Sequence, residues 1–129
     1  MRKETSTNSL NENTLSDVCA TAYALTILGG RWKPTILHIL LNGKQRFSEL
    51  RKLMPLVSER MLSQQLKELE KDGLIKREVY AEVPPRVEYS LTEDGLELQP
   101  MLQCISRWGA WHKRKYTGKE MAEGACVVQ

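Results

Sequence analysis

The sequence has little that would tie it to an oxidising or membranous environment. Its cysteines number only three, Cys19, Cys104 and Cys126, far apart and without a CxxC pair. An odd, scattered set argues against a disulfide framework and suits a reducing cytoplasm. No apolar run approaches the ~18 residues of a membrane span; the densest, TILHILL, is interrupted by His38. The opening MRKETSTNSLNENTLSD carries basic residues with no apolar core behind them, so it does not read as a secretory signal. Catalytic equipment is equally sparse. His38 lies in an apolar segment and His112 in a basic one, and neither has Cys, Asp or Glu nearby in sequence at ligand spacing. There is no phosphate-cradling glycine loop. Neither an enzyme, a metal site nor a cofactor is expected, and no membrane partner.

What is present is one domain's worth of chain. The 129 residues are 41% hydrophobic and 27% charged, a globular composition with room for a self-sufficient core. Nineteen basic residues against sixteen acidic give only +3, but the excess is concentrated. Lys44 to Arg77 holds nine basic and five acidic residues, a net +4 in one segment. A basic segment of this kind suits a polyanion-binding surface, although charge runs also serve simply to solvate a helix face.

The order of elements decides between these. Residues 1–16, rich in Asn, Ser and Thr, read as a flexible arm, 17–115 as the folded domain and 116–129 as a loose tail. Val18, Ala22, Leu25 and Leu28 mark an amphipathic helix, capped by Asp17 or Ser16 and stopped by Gly29-Gly30. A nearly all-apolar helix from Trp32 to Leu41 accepts Pro34 in its first turn. A short helix follows from Phe47-Ser48 to Met54, with Ser48 as cap and Leu50, Leu53 and Met54 inward. Ser58 caps the next helix, which runs to Asp72 on a Leu62, Leu66, Leu69 stripe and stops at Gly73. The period then becomes two over 75–80 and 86–91, predicting a hairpin around Pro84-Pro85. Thr92 caps a last helix with Leu98, Met101, Leu102, Ile105, Trp108 and Trp111, kinked or broken near Pro100. Helix, helix, short helix, basic helix, hairpin, helix is the order of a winged helix-turn-helix, a mainly α fold with a two-stranded β-hairpin.

On a helical wheel Arg60, Gln64, Lys67 and Lys71 fall opposite the three leucines, with Ser63 on the flank. Long cations reach guanine edges or phosphates, Gln pairs with adenine, and Ser serves either. Arg60, Ser63, Gln64 and Lys67 are candidates for base contact in double-stranded DNA and Lys71 for phosphate. Ser58 at the cap joins this set. Ser48 and Arg51 suit backbone phosphates, and Arg86, beside the stiff Pro84-Pro85 loop, suits phosphate or a minor groove. The plain alternative is that these are solvated surface residues.

Four motifs extend this reading: the GG-(R/K)-W turn at Gly29-Gly30-Arg31-Trp32, the RF-x-EL helix at Arg46–Leu50, the S-x-(R/K)-ML-(S/T)-x-x-L-(K/R)-ELE-x-DGL run at Ser58–Leu74, and the (V/A)PP-x-VEYSLT wing at Val83–Thr92. Over about residues 18–111 the chain resembles the HxlR family of bacterial winged-helix transcriptional regulators. The resemblance implies a homodimer whose first and last helices pack across a two-fold axis, each subunit reading half of an inverted repeat. Val18, Ala22 and Leu25, with Ile105, Trp108 and Trp111, are the interface residues this suggests, since both helices carry more apolar surface than a small three-helix core can hide. Burial within one subunit is the alternative. The family also tends to place a cysteine just ahead of the first helix, which Cys19 matches, although Ala20 stands where many members have proline. Several members look like sensors of oxidants or electrophiles through that thiol, and a helix N-terminus favours its reactive form. The alternative is that Cys19 is a small apolar packing residue at the dimer seam, and Cys104 reads as core. The rival function is a winged-helix protein-interaction module that never meets DNA. Operator, regulated gene and any small-molecule effector are not readable from the sequence.

Overall fold

The structure, a computed structural model, describes residues 14–122. Most of the expected arm over 1–16, the end of the expected tail and Cys126 lie outside the described residues. The chain divides into two compact units, up to Arg31 and from Trp32 onward.

The first unit carries α1 (Ala20–Leu28). Residues 14–18 are also helical, so the helical stretch begins ahead of the expected Asp17 or Ser16 cap. It breaks at one residue, Cys19, which leaves helical geometry (φ −136°, ψ 109°) and becomes the N-cap of α1. The break preserves the backbone bonds: the Cys19 N–H donates to Leu15 O at 2.8 Å, and Tyr23 N–H donates to Cys19 O at 3.0 Å. Gly29 ends the helix, donating to Leu25 O at 2.7 Å, and Gly30 follows at φ 100°, where a side chain would be strained.

The second unit carries α2 (Lys33–Leu40), β1 (Gln45–Arg46), α3 (Phe47–Leu53), α4 (Glu59–Lys71), β2 (Ile75–Tyr80), β3 (Arg86–Leu91), α5 (Glu93–Leu96) and α6 (Gln99–Thr117). α2 is central, touching α4, β3 and α6, as its burial of Ile36, Leu37, Ile39 and Leu40 requires. These, with Leu50, Leu62, Leu66, Leu69 and Ile75, form the core. Each contributes about 1.5–3 kcal/mol of burial.

Three local expectations are corrected. Ser48 does not cap α3: Arg46 is the N-cap, and its N–H donates to Glu49 Oε1 at 3.0 Å. The carboxylate at the third helical position reaches back more effectively than a hydroxyl already inside the turn. Leu53 is 56% exposed, because the inward line of so short a helix runs through Leu50 and Met54 alone. The sheet has three strands, not two, in the order β1-β3-β2. Gln45 and Arg46 pair antiparallel with Tyr89 and Glu88, while β2 and β3 form the expected hairpin with Tyr80 opposite Arg86.

The C-terminal expectation holds in outline. Thr92 caps α5, its Oγ1 accepting from Gly95 N–H at 3.1 Å. The chain breaks after Glu97, and Pro100 lies in the first turn of α6. α6 then runs unbroken to Thr117, past the expected start of a loose tail, and closes on left-handed Gly118 (φ 71°).

Candidate nucleic-acid interface

α4 is set by its own sequence. Ser58 Oγ accepts from Met61 N–H at 3.1 Å, and Glu59 sits in the favourable first turn. Leu62, Leu66 and Leu69 are buried, which fixes the helix's rotation about its axis. Arg60, Gln64, Lys67 and Lys71 are thereby exposed, with Ser63 half-buried beside them. Among the described residues Arg60, Lys67 and Lys71 enter no ion pair within 4.0 Å. The neighbouring Glu68 carboxyl is held below its ordinary pKa first by a hydrogen bond from Lys33, with a smaller contribution from Gln64. That Lys33–Glu68 pair, 2.8 Å long and with Lys33 only 11% exposed, ties α4 to α2.

The other candidates are arranged differently. Arg51 pairs with Glu59 at 2.8 Å, across the turn between α3 and α4. It therefore clamps the two helices as well as facing solvent. Arg86 is held more tightly still. Its Nη1 lies 3.0 Å from Glu82 and its Nε 3.2 Å from Glu88, and its guanidinium stacks 4.2 Å from the centre of the Tyr80 ring. The Tyr80 hydroxyl donates to Glu78 at 2.9 Å, lowering the pKa of that carboxyl and raising that of the phenol. Ser48 is exposed, and Ser58 keeps a hydroxyl hydrogen free to donate while its oxygen serves the cap.

Two grooves meet at Phe47 and Val87. One, about 550 Å³, runs between α4 and the hairpin and is lined by Ser63, the cations Lys67 and Arg77 and the carboxylates Glu59 and Glu70, over Phe47, Val87 and Tyr89. The other, about 420 Å³, separates the tip of the hairpin from the start of α3 and holds Ser48, Arg46 and Arg86. Residues as far apart in sequence as Arg46 and Tyr89 are thus brought to one side of this unit. Arg77 and Arg46 lie on these grooves and were not singled out from the sequence. Arg77 sits opposite Tyr89 in the ladder, and only that register places it beside Lys67.

On α6, Ile105, Trp108 and Trp111 are exposed (52%, 61% and 43%). His112 stacks between Trp108 and Tyr116, with ring centres 5.0 and 4.5 Å apart, and Lys115 lies over Trp111. Cys104 is exposed, contrary to the core position expected of it, and Arg107 Nη2 lies 3.6 Å from its sulfur. It stands two residues from buried Leu102, roughly 200° round the helix. A shallow pocket between α2 and α6 holds His38, whose pKa burial lowers. In the first unit Val18 and Leu25 are exposed, Ala22 is half-buried, and Cys19 is exposed. Among the described residues no group of three or more His, Cys, Asp or Glu is placed to hold a metal ion, and no helix is long and apolar enough to cross a membrane.

Three packed helices with the last one exposing a polar, cationic face, followed by a small antiparallel sheet, define a winged helix-turn-helix protein. The chain belongs to the HxlR-like helix-turn-helix family, whose sequence model matches residues 27–117. Among its relatives is the uncharacterised HTH-type transcriptional regulator YdeP of Bacillus subtilis, 49% identical over 107 residues that cover 83% of this chain and 84% of YdeP. Similar solved structures include the redox regulator HypR in its reduced form (41% identity, TM-score 0.73, covering 78% of this chain and 99% of HypR). The reduced form of the transcriptional regulator YodB from B. subtilis is another (35% identity, TM-score 0.64, covering 79% of this chain and 97% of YodB).

Proposed function

We propose that this protein is a cytoplasmic transcriptional regulator that binds double-stranded DNA as a homodimer, each subunit laying α4 in a major groove of an inverted repeat. The observation that carries this is the state of the cations on α4. Arg60 and Lys67 are exposed, flank Gln64, and have no carboxylate partner within 4.0 Å among the described residues. A surface built only to hold another protein has no need of unneutralised cations on that helix. Kinship to HTH-type transcriptional regulators supports the same reading. Arg60, Ser63, Gln64 and Lys67 face the bases, Lys71, Ser48 and Ser58 the phosphates, and Arg51 and Arg86 reach DNA by exchanging a carboxylate for it.

Exposed Val18 and Leu25 with Ala22 on α1's side, and Ile105, Trp108 and Trp111 on α6, are the apolar surface available to a second copy. In a two-fold pair the half-sites lie about 34–36 Å apart. The test is fluorescence anisotropy against the promoter of the adjacent gene at several salt concentrations, with light scattering for the oligomer. Affinity that ignores salt, or a monomer at binding concentrations, refutes the reading. Exposed Cys19 at the break ahead of α1 and likeness to a redox regulator support a response to oxidants through that thiol. Diamide treatment that alters DNA affinity equally in the parent protein and in Cys19→Ser removes Cys19 from it.

A further inference from the structure

We propose that Glu82 is a specificity-determining residue, a carboxylate that withholds Arg86 from phosphate unless the duplex is shaped to displace it. The inference rests on the DNA-binding reading above and adds a role for an acidic residue. Over the hairpin from Ile75 to Leu91, Lys76, Arg77 and Arg86 are matched in number by Glu78, Glu82 and Glu88, as the three cations of α4 are by its three carboxylates. The difference is that Arg86 is closed in ion pairs whereas Arg60, Lys67 and Lys71 enter none among the described residues. The balance is local. Arg86 is 26% exposed, its Nη1 3.0 Å from Glu82 Oε1. Its Nε is 3.2 Å from Glu88 Oε1, off the hydrogen-bonding direction. The guanidinium plane is seated on Tyr80.

The two carboxylates are not equivalent. Glu88 lies within β3 with its side chain 20% exposed, whereas Glu82 lies in the loop at 49%. Glu82 can swing away at little cost, and Arg86 then keeps its seat on Tyr80 while Nη1 turns to a new acceptor. The new acceptor is on hand, because Arg86 lines the groove shared with Ser48 and Arg46. A phosphate displaces Glu82 most readily where the two backbones approach each other, across a narrow minor groove, since the potential is most negative there. On an ordinary duplex the pair stays closed. Glu82 thereby lowers non-specific binding more than operator binding, and the ratio between them widens.

The experiment compares the full-length protein with Glu82→Gln, binding an operator fragment and a scrambled duplex between 50 and 200 mM salt. Glu82→Gln is expected to raise affinity for the scrambled duplex and to steepen its log K against log salt by about 0.9 per engaged subunit. Its advantage then shrinks about 3.5-fold per subunit across that salt range. Operator affinity rises less, so discrimination falls. In an Arg86→Gln background the substitution is expected to give no gain. Unchanged scrambled-duplex binding, an equal rise on both duplexes, or a gain that survives Arg86→Gln overturns the proposal while leaving DNA binding intact. Absence of salt-dependent binding by the unaltered protein overturns both.

Discussion

Replacing Lys71 by Ala is the sharpest probe of how α4 meets DNA. Lys71 is the last residue of the helix, exposed, and in no ion pair within 4.0 Å among the described residues. It lies three turns beyond Arg60, too far along to share the base-reading end, so its expected partner is a phosphate. A dimer presents it twice. Each lysine–phosphate contact contributes about 0.9 to the slope of log K against log salt, and by counterion release alone about 1 kcal/mol at 0.15 M salt. Losing both contacts should therefore weaken binding about 30-fold at that salt and flatten the slope by about 1.8. Because phosphate is common to every sequence, an operator and a scrambled duplex should lose affinity alike. Anisotropy titrations of both duplexes at 50, 100 and 200 mM salt measure all three quantities. A loss confined to the operator, or a slope that does not change, would refute the assignment of Lys71 to the backbone.

Gln64→Ala should behave in the opposite way, relaxing preference at one base pair by about 1–3 kcal/mol with the salt slope unaltered, as binding to single-substitution operators would report. Gly95→Ala should destabilise the fold by about 1–3 kcal/mol in urea, because its Cβ would meet the Leu74 carbonyl oxygen, a backbone atom with no freedom to turn aside. Glu68→Gln should lower stability at neutral pH. The carboxyl's folded pKa is depressed by Lys33, so its contribution is present above the unfolded value and lost as pH falls through the folded one. Denaturation curves of the two proteins should converge in acid; a constant gap would show that the ion pair is not its source.

Some of this was legible in the sequence for reasons that are local. α4 announces itself, because Ser58, the Leu62-Leu66-Leu69 stripe and Gly73 are consecutive signals that agree, and the solvent face follows from the buried one. β1 gave no signal, since two residues that pair only through their backbone have no alternation to display. At α3 the sequence pointed to Ser48 as the cap, and only the geometry shows Arg46 in that place with Glu49 reaching back to its N–H. The neutral wing was half-visible: Glu82 and Arg86 are four apart and Arg86 and Glu88 two apart, yet it takes the closing of the loop over 81–85 to set all three beside Tyr80. Cys104 reads as core only if the apolar stripe of α6 is drawn too wide. Arg77 could be counted but not placed, because its neighbourhood is a matter of strand register.

Thr92 has a mechanical consequence. Its hydroxyl donates to Gly73 O at 2.5 Å while accepting from Gly95 N–H, and its own N–H donates to Leu74 O at 3.1 Å. One residue thus welds the tail of α4 to the root of the C-terminal helices, with no spring between them. In a pair of subunits joined through α6, a small rotation at the joint would be carried undamped to both reading heads, and the distance between them would change by leverage rather than by bending of either one.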